Sequence, residues 1–251
     1  MYAIIIALIV FACVAGGALI GSLLGAVLPS QHLSNETKDT VKVGMGLIGT
    51  MTAILLGLLI ASAKSFFDTQ NTELTEMSAK VILLDRILAH YGPETKEARD
   101  LLRSSISGAL DAMERKASSQ HSGAATGAGG AEIIADKIQE LSPQNDAQRS
   151  LQNQALSVAI DLAKTRWLML QQASSSVSPP LLVVVVFWLA LIFCSFGLLA
   201  PRTPIVAATL GLCALSVAAA IFLVVDMYSP FGGIIHLSSA PLQTALAHIG
   251  K

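Results

Sequence analysis

Four long apolar stretches without a charged residue constrain this chain more than any other feature of its sequence. They cover residues 2–28, 43–63, 181–200 and 205–225, and none contains Asp, Glu, Lys, Arg or His. A helix needs about 20 apolar residues to cross a hydrocarbon core about 30 Å thick, because each residue advances it by about 1.5 Å. Since a charge inside lipid is costly, the pattern predicts four membrane-spanning helices.

A cleaved signal peptide is the alternative interpretation of the first stretch. No Lys or Arg precedes it, and its apolar run is longer than the roughly 7–15 residues of a signal peptide's hydrophobic region. We therefore expect the first span to be retained.

Stripes of small residues along three spans indicate how the helices pack. Lipid tails are as apolar as Leu, so helices associate in a membrane where small residues let their backbones approach. The first two spans carry Gly17, Gly21, Gly25, Gly49, Ala53, Gly57 and Ala61, and the fourth carries Ala207, Gly211, Ala214 and Ala218. The pattern leaves open whether each partner helix lies in the same chain or in another copy. The third span has no stripe, so we expect it to be the most exposed to lipid.

Residues 64–178 form a water-exposed segment, because they hold 12 of the 16 Lys and Arg and 14 of the 17 Asp and Glu. Apolar residues in this segment recur at alternating steps of three and four, which is typical of a coiled-coil-like helical pair. The first seam is Phe67, Gln70, Leu74, Met77, Val81, Leu84 and Leu88, and the second is Leu151, Ala155, Val158, Leu162, Thr165 and Met169. Gly92-Pro93 ends one helix, and residues 118–130, small and nearly uncharged, predict a disordered loop.

The chain is therefore expected to be an all-α, polytopic membrane protein. Residues 1–63 hold the first two spans, 64–178 an inserted helical domain, and 179–228 the other two spans. Residues 229–251 are too short to span and predict an interfacial helix or a re-entrant segment.

The distribution of basic residues predicts the orientation of the chain. Four spans place both termini and the inserted domain on one face of the membrane. Five Lys and Arg lie near the spans on that face and three on the other, which favours a cytoplasmic domain and cytoplasmic termini. We expect the protein to lie in the bacterial inner membrane.

Catalytic chemistry is not indicated. The sequence has no G-x-S-x-G, H-E-x-x-H, P-loop or EF-hand pattern, and Cys13, Cys194 and Cys213 lie within spans without metal-ligand spacing. A net charge of −1 and 5% aromatic residues disfavour a nucleic-acid partner. We expect no enzyme activity, no metal ion and no cofactor. The absence of ionisable residues within the spans also disfavours a pump.

Several stretches resemble a bacterial family called bestrophin-like. They are residues 28–39, 44–64, 67–70, 84–95, 230–232 and 238–242, with Tyr-Gly-Pro-Glu-Thr at 91–95 and Ser-Ser-Ala-Pro-Leu at 238–242 as the most specific. The resemblance covers nearly the whole chain except residues 118–130. It implies kinship with bestrophins, which are pentameric ion channels with a helical cytosolic part between two pairs of spans.

Two functions follow as hypotheses. The first is a homo-oligomeric ion channel, in which several copies surround a pore because four spans enclose no wide pore alone. The second span is the expected pore wall, since it continues into the first seam, and its candidate lining residues are Thr50, Thr52, Gly57 and Ser62. The rival is a non-conducting membrane scaffold or sensor whose helical domain binds a partner protein.

Overall fold

The computed structural model describes residues 2–27, 35–118, 130–173, 178–229 and 233–250. Its helices are α1 (Tyr2–Val27), α2 (Asn35–Tyr91), α3 (Lys96–Ser118), α4 (Gly130–Gln139), α5 (Asp146–Ala173), α6 (Pro179–Leu199), α7 (Pro204–Met227) and α8 (Ala240–His248), with a 3-10 turn at Pro93–Thr95. Every regular element in these ranges is helical, which confirms the all-α fold. Most of the predicted disordered loop, residues 119–129, lies outside the described residues.

Four of the helices are long and apolar enough to cross a membrane, which confirms the predicted spans. The first, third and fourth spans correspond to α1, α6 and α7. The second span is part of α2, a single helix of 57 residues that extends well beyond the apolar stretch at both ends. Because no helix-breaking Pro or Gly pair interrupts residues 64–91, the apolar helix continues directly into the polar one.

The chain divides into two compact units. The membrane unit comprises Met1–Phe66 and Ser176–Tyr228, and the helical unit comprises Phe67–Ser175 and Ser229–Lys251. Each unit has its own apolar core.

The glycine stripe of α1 packs against the backbone of α6 in the same chain. A Cβ added at Gly17 would lie 2.6 Å from the carbonyl oxygen of Ala190, and one added at Gly21 would overlap the carbonyl oxygen of Cys194. One turn further, a Cβ at Gly25 would lie 2.9 Å from the Leu198 carbonyl oxygen. Glycine therefore allows the two backbones to approach more closely than any other residue would.

The third span, which we expected to be the most exposed to lipid, is not the least buried span within this chain. Its branched and aromatic side chains Val185, Leu189 and Phe193 are buried in the core of the membrane unit. In its most apolar window the second span has 11% of its residues buried, against 28% in each of the other three. The reason is that the glycines of α1, together with Gly197 of α6, permit the close approach of the two helices.

The two predicted seams pair as antiparallel helices in the helical unit. Leu74, Val81, Leu84 and Leu88 of α2 and Ala155, Leu162 and Met169 of α5 are all buried in one core. Three hydrogen bonds along the pair show that α2 and α5 run in opposite directions. They join Gln148 Nε2 to the Tyr91 carbonyl oxygen (3.1 Å), Lys80 Nζ to Thr165 Oγ1 (3.2 Å) and Gln70 Nε2 to Gln172 Oε1 (2.6 Å).

The described part of the C-terminal segment, residues 233–250, is packed in the helical unit. There Leu237, Leu242, Ala245 and Ile249 are buried in the core. Its predicted apolar helix exists as α8, which packs on α3. A short apolar helix needs a covering surface, and α3 supplies one here.

An ion pair lies where this segment meets α2 and α3. Asp85 Oδ1 accepts from Arg99 Nε at 2.7 Å and Asp85 Oδ2 accepts from Arg99 Nη2 at 3.1 Å, while the backbone N–H of Gly250 donates to Oδ2 at 3.3 Å. The Asp85 side chain is only 2% exposed. The hydrogen bonds that Arg99 donates to Asp85 raise the pKa of Arg99 above its usual range. Asp85 therefore holds three segments of the helical unit together.

The Tyr-Gly-Pro-Glu-Thr stretch forms the sharp connection between α2 and α3. Gly92 has φ 140° and ψ −179°, a conformation that is essentially restricted to glycine. Thr95 Oγ1 donates to the carbonyl oxygens of Leu88 at 2.7 Å and of Gly92 at 2.8 Å, which secures the end of α2. Burial, and then the nearby Glu94, raise the pKa of Tyr91 above its usual value.

We expect Gly92→Ala to destabilise the helical unit by about 1–3 kcal/mol, because a Cβ there is strained by φ and meets the Glu94 carboxylate. Thermal unfolding of the purified protein measures the effect. Gly108→Ala in α3 is the matched control, since a Cβ there meets nothing within 4 Å among the described residues. Equal stability of the two variants would show that this connection is not built as described.

Candidate pore-facing surface

One face of the second span is left uncovered by the described residues of the chain. It consists of residues at alternating steps of four and three, all of them exposed, and we call it the open face. Its members are Val43, Leu47, Thr50, Ile54, Gly57 and Ala61. Seven residues make close to two helical turns, so these side chains lie in one stripe along α2. An unpaired seam of this kind suits packing of the same helix from several copies around an axis.

Small residues beside and within this stripe leave space next to the backbone. A Cβ added at Gly49 or Gly57 would meet no atom within 4 Å among the described residues, and Ala53 is exposed. The stripes on the first two spans therefore differ, since α6 covers that of α1 and nothing described covers that of α2.

The hydroxyl groups of the second span point in different directions. Thr50 lies on the open face, and its Oγ1 donates to the carbonyl oxygen of Gly46 at 2.9 Å. Thr52 is only 3% exposed, and its Oγ1 donates to the Ile48 carbonyl oxygen at 2.7 Å. Two positions along a helix turn the side chain through more than half a circle, so Thr52 lies on the buried side of α2 whereas Thr50 lies on the open face.

Ser62 links the second span to the end of the fourth. Its Oγ lies 3.0 Å from the Tyr228 hydroxyl, and the Tyr228 ring stacks on Phe66 with centroids 5.0 Å apart. Leu59 and Ala63 are buried on the same side of α2. Ser62 is therefore a packing contact at the end of the span, off the stripe that Thr50 and Gly57 share.

The largest apolar side chains of the open face escaped the sequence interpretation. Leu47 is 66% and Ile54 is 68% exposed, and Leu58 beside them is 60% exposed. The alternating steps of four and three along the span were a sequence signal for these residues. The prediction of pore-lining residues considered only small and hydroxyl-bearing side chains. Bulky apolar residues facing a narrow pore act as hydrophobic constrictions.

Metal-ligand clusters do not accompany this face. Across the part of the chain that the structure describes, no three His, Cys, Asp or Glu side chains come together in a way that would hold a metal ion.

The fold and this face define a class, that of helical membrane proteins with two pairs of spans and a helical domain between them. The chain belongs to the Bestrophin-like family, whose domain profile matches residues 11–242. The resemblance recognised in the sequence is thereby confirmed. Among curated proteins, none matches the chain.

Solved structures share the fold. Two crystal structures of a bacterial bestrophin homolog from Klebsiella pneumoniae, the second of a variant, match with TM-scores of 0.63 and 0.62 at 12% and 13% sequence identity. The first match covers 93% of this chain and 96% of that chain, and the second covers 94% and 97%. A structure described as that of a membrane protein matches with a TM-score of 0.59 at 14% identity over 94% of this chain and 97% of that chain. At such low identities the likeness concerns the fold.

Proposed function

We propose that the protein is an ion channel built from several copies of this chain around a symmetry axis. The open face of α2 is the observation that carries the proposal, because the described residues of its own chain leave this uncharged, apolar stripe uncovered. Membership of the Bestrophin-like family supports it, since bestrophins are channels of this kind by the resemblance described above.

In this proposal the open faces of neighbouring copies form the pore wall. Thr50 supplies a hydroxyl to the wall and Gly57 widens it, while Leu47 and Ile54 narrow it. An apolar ring repels water, so it closes a pore when it is narrow and passes ions when it widens. Gly49, Ala53 and Ala61 allow the helices of adjacent copies to approach closely.

The same proposal places the protein in the inner membrane with its helical unit and termini in the cytoplasm. The positive-inside distribution of Lys and Arg supports this orientation. Labelling of a single cysteine introduced in the helical unit, compared in intact and lysed cells, measures it.

We expect Ile54→Ala to increase the current through purified protein in planar bilayers several-fold, because it widens the apolar constriction. Single-channel recording gives the conductance and the open fraction. Ile20→Ala is the matched control, since Ile20 is 56% exposed on α1, away from the open face. Bilayers that stay silent although the oligomer is intact would contradict channel activity, and equal currents from both variants would remove Ile54 from the pore wall.

A non-conducting scaffold or sensor is the second candidate. Exposed apolar residues on the helical unit favour it, namely Ile133, Ile160, Trp167 and Leu168. Such residues on a polar surface suit binding of a partner protein. A stable second protein recovered by cross-linking, with bilayers silent, would favour this function over conduction.

A further inference from the structure

Three polar side chains interrupt the apolar seam between α2 and α5. Gln70 Nε2 donates to Gln172 Oε1 at 2.6 Å, and Gln172 Nε2 donates to Glu73 Oε1 at 3.1 Å. Gln70 is fully buried. Two oxygen atoms, Gln70 Oε1 and Glu73 Oε2, are buried with no hydrogen-bond partner among the described residues. Buried polar atoms are normally satisfied, so each of these oxygens needs a donor or a cation that the described residues do not supply.

The orientation of both amides follows from the carboxylate. An ionised carboxylate only accepts hydrogen bonds, so Gln172 must present its NH2 group to Glu73. Its oxygen then faces Gln70, which must present its own NH2 group in turn. Gln70 Oε1 is consequently left without a donor in this series of hydrogen bonds. Rotating either amide by half a turn would bring two acceptors together, so it does not supply the missing donor.

The group also carries a negative charge that its hydrogen bonds do not neutralise. The nearest lysine on the same side of α2 is Lys80, seven residues from Glu73 and therefore about 10 Å along the helix axis. Its Nζ donates to Thr165 Oγ1 at 3.2 Å. A water molecule would satisfy both oxygens but would leave the charge of Glu73 unbalanced. A cation would satisfy the oxygens and neutralise that charge as well.

We propose that Gln70 and Glu73 bind a hard cation, an alkali or alkaline-earth ion, through Gln70 Oε1 and Glu73 Oε2, with Gln172 holding both ligands in place. Positions three apart on a helix have Cβ atoms about 5–6 Å from each other, a spacing that is compatible with one ion contacting both side chains. Carboxylate and amide oxygens are the ligands that such ions prefer. The site is independent of conduction, because it requires only the packing of α2 against α5.

Hydrogen–deuterium exchange on the full-length protein in detergent tests the site. Sodium, potassium, magnesium and calcium chlorides are added singly in millimolar amounts, with N-methylglucamine chloride holding the ionic strength constant. We expect at least one cation to slow exchange in peptides covering residues 67–80 and 160–173 and to raise the unfolding temperature. Absence of such protection with all four cations would overturn the proposal and leave water as the occupant.

Glu73→Gln is the decisive variant. The new amide removes the charge and can donate to Gln70 Oε1, so we expect higher stability without added cation and complete loss of the cation response. Glu76→Gln, one turn away and exposed, removes the same charge and should keep the response. Gln70→Leu should lose the response as well, and a response that survives in Glu73→Gln would overturn the proposal.

Acidification separates a cation from a proton. Protection of the same peptides at mildly acidic pH, with no cation effect at neutral pH, would show that Glu73 takes up a proton and donates it to Gln70 Oε1. That result would contradict the cation site.

Discussion

Gly21→Ala should prevent the membrane unit from folding stably, with a loss of more than about 3 kcal/mol, beyond the usual range for overpacking. The added Cβ overlaps the carbonyl oxygen of Cys194, which belongs to the backbone of α6. Backbone cannot rotate away as a side chain can, so α1 and α6 must separate. Their separation would expose both the glycine stripe and the buried side chains of α6. The yield of monodisperse protein and its unfolding temperature in detergent measure the effect.

Gly16→Ala is the control for this prediction. It makes the same chemical change on the same helix, but its Cβ would meet nothing within 4 Å among the described residues. Since Ala forms helices better than Gly, this variant should be as stable as the wild type or more so. If both variants fold equally well, α1 and α6 are not in contact as described. Gly197→Ala should reproduce the loss from the other helix, because its Cβ overlaps the carbonyl oxygen of Ala18.

Asp85→Asn should destabilise the helical unit by about 3 kcal/mol, the lower end of the range for breaking a buried ion pair. The lower end applies because the Arg99 side chain is 24% exposed and keeps some contact with water. The variant leaves the Arg99 guanidinium without its counter-charge. It also places the NH2 group of the new amide side chain against N–H groups that now donate to the Asp85 carboxylate. The hydrogen bond from Gly250 weakens too, so residues 240–250 should exchange amide hydrogens faster. Chemical denaturation and hydrogen exchange measure the two effects.

The double substitution Asp85→Leu with Arg99→Met provides the second half of the test. Removing both charges leaves no unpaired ion, so it should restore most of the stability that Asp85→Asn loses. Glu140→Gln is a surface control, since Lys137 and Glu140 form an exposed pair that should contribute little. A double variant as unstable as Asp85→Asn would show that shape and hydrogen bonds, rather than charge, hold this corner together.

The seams show which features of the helical unit can be predicted from the local sequence pattern. Steps of three and four place Leu74 and Leu84 on one side of α2 wherever that helix packs, so their burial followed from periodicity. The same periodicity could not say what lies opposite Gln70. Its partner Gln172 is 102 residues away, and the unpaired oxygens exist only because the two helices meet in one register.

The candidate pore wall shows the limit of residue type as a guide. Thr50 and Thr52 are the same residue type in the same span, yet Thr50 is exposed and Thr52 is buried. The rotation of α2 about its own axis, which is set by the helices packed against it, determines which of the two is covered.

The four spans, the absence of strands among the described residues and the paired seams depend on hydrophobic length and period, which each segment carries within itself. Which span stays uncovered depends on which helix meets the glycines of α1, and the location of residues 233–250 depends on the surface that α3 offers to α8. Those are choices between distant partners of similar apolar character, and only the packed chain resolves them, through contacts such as Gly21 on Cys194 and Gly250 on Asp85.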